Sequence, residues 1–182
     1  MKKILYIILF CLIIAAKAKS QNITELEVGK PQAIVNLATN EGVQSVMGAW
    51  KYSDAKVVEV DFKAPGPERK PSGTAITTND ILPKAGAVNF DDSKWETIEP
   101  ASLDKRRGTG KVSFNWYRLN FTIPERVGIF TTTNSTIYFE IVVDDYAEVW
   151  VNGLLQKSIG QKGNSAISGY NSRNRILLTQ HA

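Results

Sequence analysis

Residues Ile141–Gly153 read IVVDDYAEVWVNG, an apolar run that meets two adjacent acids, an alternating stretch and a closing Asn-Gly pair. Ile137, Phe139, Ile141 and Val143 share one parity, so Thr136–Val143 is expected as a strand with one apolar face. After Asp144-Asp145-Tyr146, Ala147, Val149 and Val151 share one face and Glu148 and Trp150 the other. Asn152-Gly153 suits a type I′ turn, because both residues tolerate positive φ. Leu154 and Leu155 then begin a returning strand. Asp144 and Asp145 stand at the corner between two strands.

The same period extends outward. Lys111–Pro124, KVSFNWYRLNFTIP, carries Val112, Phe114 and Trp116 on one parity and Tyr117, Leu119, Phe121 and Ile123 on the other. A regular strand cannot turn both sets to one side, so either a bulge sits near Trp116-Tyr117 or both faces are covered. Pro124 is expected to end the strand, since it has no amide donor. Val58, Val60 and Phe62 alternate with Glu59 and Asp61, and Ala64–Thr74 is an irregular loop with three prolines and two glycines. Residues 21–40 form a leader segment, with one short strand expected around Ala33–Leu37. Residues 41–182 form one domain without a sustained helical period or an internal repeat. Short antiparallel strands at this spacing define an all-β class, a sandwich or jelly roll.

Residues 1–20 have the form of a secretory signal peptide: Lys2 and Lys3, the apolar stretch Ile4–Ala16, then Ala16-Lys17-Ala18. The expected location is outside the cytoplasm, secreted or periplasmic. The chain has 22 Lys and Arg against 18 Asp and Glu, but four lysines and no acid lie in that segment. The remainder is balanced, which removes a broad electrostatic case for nucleic acid; no membrane association is expected after cleavage. The only cysteine is Cys11 and the only histidine His181. Ser-His-Asp and Cys-His catalysis need a positioned imidazole, and zinc usually needs His or Cys ligands. Carboxylate chemistry, calcium on oxygen ligands, or no catalysis remain.

Three motifs in order, NFDDSKW (Asn89–Trp95), FNWYRLNFTIP (Phe114–Pro124) and VDDYAEVWVNG (Val143–Gly153), resemble galactose-binding-like jelly-roll domains, as at the front of family-two glycoside hydrolases. GAWKYSDAKVVEVDFKAPGP (Gly48–Pro67) and LDKRRGTGKVSFNWYR (Leu103–Arg118) are similar to a secreted bacterial module associated with gluconolactonases of the senescence-marker-protein type. The resemblance implies a galactose-binding-like β-sandwich over about residues 41–178 and a non-catalytic companion of an enzyme. Such domains continue past Asn174–Leu178 with a Gly-containing turn and closing strands, so the resemblance implies that the last strands are missing. A lactonase of that type would resemble a propeller, whose blades need ~40–45 residues each in repeats; this chain has no such repeat.

Asp144 and Asp145 could be a glycosidase pair or a calcium site, but neighbours at a strand end diverge, and two carboxyls must flank one bond ~5–9.5 Å apart. A corner with an Asp accepting backbone amides is the plainer reading. No catalytic residue is assigned and no cofactor is required, with calcium at Asp144 and Asp145 an alternative. Aromatics are better binding candidates, because sugars offer C–H faces to rings and hydroxyls to polar neighbours. The candidate ligand residues are Trp150 with Glu148 and Asn152, and Trp116 with Arg118; the competing reading puts one tryptophan in the core and the other under a loop. The functional expectation is a secreted accessory domain that binds carbohydrate or docks a hydrolase domain. A fragment of a gluconolactonase or glycoside hydrolase, and a purely structural interdomain module, are the alternatives.

Overall fold

The computed structural model describes residues 29–105, 114–143, 145–168 and 172–179. The signal segment, most of the leader, Arg106, Arg107, Asp144, His181 and the chain end lie outside the described residues. Among those described the protein is all-β, with thirteen short strands, one six-residue helix and antiparallel pairing throughout.

A compact unit begins at Ala33. The strand expected around Ala33–Leu37 does not form. Asn36 turns the chain instead: its Oδ1 accepts from Ala38 N and its carbonyl from Thr39 N and Oγ1, and such local side-chain bonds compete with extended structure. Helix α1 (Asn40–Ser45) follows, with Thr39 as its N-cap accepting from Gly42 N at 3.1 Å. Val43 and the following Val46 are buried.

Strand β1 (Ala49–Asp54) is the middle of a three-stranded sheet, between β4 (Glu96–Ile98) and β5 (Asn115–Asn120). Its register with β5 runs unbroken from Ala49↔Asn120 to Asp54↔Asn115. There is no bulge at Trp116-Tyr117; both faces of β5 are half-covered instead. On one face Tyr52 and Ile98 are buried, and the Tyr52 and Tyr117 rings meet edge to face at 5.3 Å. The other face carries Trp116 and Arg118. The strand ends at Asn120, before Pro124, because Thr122 N leaves the ladder to donate to Val46 O.

Strands β2 (Lys56–Phe62) and β3 (Ile76–Leu82) form a two-stranded ribbon whose Val58 and Val60 are half-buried, as their alternation requires. Strands β6 (Arg126–Val127) and β7 (Phe130–Thr131) make a short hairpin. Strand β8 (Tyr138–Val142) shows the expected parity, with Ile137, Phe139, Ile141 and Val143 half-buried and Tyr138, Glu140 and Val142 exposed. It pairs with β13 (Arg173–Leu177), whose Ile176 is fully buried; complete burial of such a side chain is worth about 2 kcal/mol.

The expected strand Ala147–Asn152 is divided. Strand β9 (Tyr146–Ala147) pairs with β12 (Ile167–Ser168), whereas β10 (Trp150–Val151) pairs with β11 (Leu154–Leu155). Gln156 N donates to Val149 O and lengthens the second ladder by one step. Asn152 and Gly153 adopt φ +48° and +81°, the two positive values a type I′ turn requires, and Asp145 sits at +66° in the corner.

Candidate functional site

The site grows from an Asx turn. Asp91 Oδ1 accepts from Ser93 N at 3.0 Å, and Trp95 N donates to Asp92 O. The bonds from Ser93 hold the Asp91 carboxyl below its ordinary pKa. This turn brings the Phe90 and Trp95 rings together in a tilted arrangement, with centroids 5.3 Å apart, and presents the Asp92 carboxylate to β5. There Arg118 Nε donates to Asp92 Oδ2 at 2.8 Å, and the guanidinium carbon lies 5.4 Å from the Phe90 ring centre.

Arg118 Nη1 donates to Ala85 O at 2.5 Å and to Ala87 O at 3.2 Å, so one nitrogen holds the carbonyls on either side of Gly86. Gly86 lies flat against the Trp150 indole: a β-carbon there would come within 2.5 Å of Cδ2, 2.6 Å of Cε3 and 2.9 Å of Cε2. These are atoms at and beside the fused bond, so the glycine backbone covers one ring face. Trp150 nevertheless remains 38% exposed. Its Nε1 donates to Glu148 Oε2 at 3.2 Å, fixing the ring's rotation. Exposed Asn152 follows in the turn, and Val88 packs beside Gly153.

The five candidate residues therefore separate. Trp150, Glu148 and Asn152 lie together on β10 and its flanks. Arg118 joins them through Gly86, but its Nε and Nη1 are engaged by protein oxygens, so it supports the site from behind. Trp116 stands on the same face of β5 as Arg118, half-buried, with an Nε1 that is buried and has no hydrogen-bond partner among the described residues. Asp145 is exposed. Among the described residues, no three His, Cys, Asp or Glu side chains gather where a metal ion could sit. Sequence reasoning missed Gly86; its one signal was the small-residue run Ala85-Gly86-Ala87, which permits close approach of another group.

No protein-family model, curated protein or solved structure matches this chain. The all-β class and the Trp150 site stand on their own geometry.

Proposed function

We propose that this chain is an exported, non-catalytic carbohydrate-binding domain of the galactose-binding-like jelly-roll type, which brings a gluconolactonase-like or glycoside hydrolase to its substrate. The observation that carries the reading is Trp150: an indole backed by Gly86, fixed by Glu148 and still 38% exposed. A ring held in this way loses little freedom on binding, which lowers the cost of stacking a sugar against it. Glu148 and Asn152 are the neighbouring partners for hydroxyls. The three sequence motifs support the jelly-roll assignment, and Arg118–Asp92 and Trp150–Gly86 give them a common physical purpose. The signal-like first twenty residues support export.

A glycan-array screen with the wild-type chain, Trp150→Ala and Trp116→Ala tests the reading. Binding should be lost in Trp150→Ala and retained in Trp116→Ala; no binding by the wild type defeats it. A second reading, docking to an enzyme domain, would bury individually exposed apolar side chains such as Ile129 (97%), Tyr146 (77%) and Met47 (76%). Co-purification with such a domain, lost on Ile129→Ser or Tyr146→Ser, would distinguish docking from glycan binding.

A further inference from the structure

Glu148 does more at Trp150 than orient the ring. Its Oε2 accepts from Trp150 Nε1 at 3.2 Å, whereas a carboxylate offers about four acceptor positions over its two oxygens. Among the described residues no Lys or Arg lies within ion-pair distance of it. Glu148 and Trp150 are both exposed, so the rest of the carboxylate's capacity is met from solvent, next to the ring.

The surroundings do not neutralise this charge. Residues 145–156 and 85–90, the segments that meet at Trp150, contain Asp145 and Glu148 and no Lys or Arg. Arg118 holds the same glycine turn from behind, but its Nε is engaged by Asp92 Oδ2 and its Nη1 by Ala85 O and Ala87 O. Lys84, one residue before the turn, is bound to Asp80. Lys157 follows Gln156 on the returning segment and forms no ion pair with Glu148. An indole and an unneutralised carboxylate therefore share one patch of surface.

We infer that Glu148 sets the specificity of the Trp150 site, which takes a carbohydrate bearing a free amine, with the sugar ring on the indole and its ammonium donating to the Glu148 carboxylate. The inference rests on the reading of Trp150 as a sugar platform and adds the class of sugar. A neutral sugar offers Glu148 hydroxyl donors without charge, and a uronate brings a second negative charge beside it. Because Glu148 is exposed, the preference is modest and falls with salt, up to about fivefold in affinity at low ionic strength.

Calorimetric titration of the full chain with the tetrasaccharides of glucosamine, N-acetylglucosamine and galacturonate, at a mildly acidic pH where the amines are protonated, tests the inference. The glucosamine oligomer should bind about fivefold more tightly than its N-acetylated form, and the galacturonate oligomer most weakly. Glu148→Gln keeps an oxygen that can accept from Trp150 Nε1 but removes the charge, and should bring the first two within about twofold of each other. Equal binding of the two by the wild type, a preference that survives Glu148→Gln, or no glucosamine binding by a protein that binds other glycans through Trp150 would each overturn the inference and leave the platform reading standing. Glycan binding that persists unaltered in Trp150→Ala overturns both. If Glu148→Gln shifts the tryptophan emission, salt decides: the wild-type preference should largely vanish at about 0.5 M sodium chloride, and one that does not is no charge effect and sinks the inference.

Discussion

Arg118 Nε meets Asp92 Oδ2 at 2.8 Å, with 15% and 17% of the two side chains exposed. This pair joins the turn Asn89–Trp95 to β5, and the Nη1 bonds to Ala85 O and Ala87 O carry the connection to Gly86 and thus to Trp150. A mostly buried ion pair is seldom a large net stabiliser. Its value here is geometric, because it fixes the backbone that supports an exposed ring.

Arg118→Ala should therefore be costly out of proportion to its charge. It strands a largely buried carboxylate and removes the donor from two carbonyls, a loss of about 3 kcal/mol. Urea denaturation measures it. In a double-mutant cycle with Asp92→Ala, a coupling of about 1–2 kcal/mol is expected; strict additivity would mean that the pair does not act as a unit.

Gly86→Ala should act on Trp150 rather than on the loop. The new methyl would overlap the indole, so the ring must swing outward at a cost of about 1–3 kcal/mol. Tryptophan emission should shift to longer wavelength, and the shift should be absent when Gly86→Ala is made in a Trp150→Phe background. Glycan binding should fall with it.

The parity of Ile137–Val143 and Ala147–Val151, and the Asn152-Gly153 turn, were legible because each is set by neighbours in the chain. The contacts that make the site were not. Alternation tells which face Arg118 occupies, but nothing local tells that Asp92, 26 residues earlier, lies opposite it. Trp116 and Trp150 looked equivalent for the same reason: each sits opposite an apolar set. Only burial separates the orphaned Nε1 of Trp116 from the backed, exposed ring of Trp150. A short strand is expected around Ala33–Leu37, where the periodicity is weak, and the Asn36 side chain and carbonyl turn the chain instead.

Trp116→Phe should be nearly neutral. It loses some ring area but removes a buried donor with no acceptor among the described residues, whose desolvation costs about 1–3 kcal/mol. The expected change in denaturation free energy is within about 1 kcal/mol of zero, because the two effects oppose one another. A loss well beyond that would show that the indole nitrogen has an acceptor in solution.

Glu140 supplies a pH-dependent contribution. The Arg175 hydrogen bond, with smaller help from the charges of Arg173 and Arg175, holds its carboxyl below the ordinary glutamate range. A depressed folded-state value means that the unfolded chain takes up this proton first as pH falls. The stabilisation is thus fully present above the unfolded value of about 4.3 and is lost as pH drops through the lower folded one. The Glu140 and Arg175 side chains are each about one-third exposed, so the effect is small and weakened by salt. Melting temperatures of wild type and Glu140→Gln should differ by a constant amount above about pH 5 and converge below about pH 3. A gap that persists in acid would place the effect of the substitution in packing rather than in the carboxylate charge.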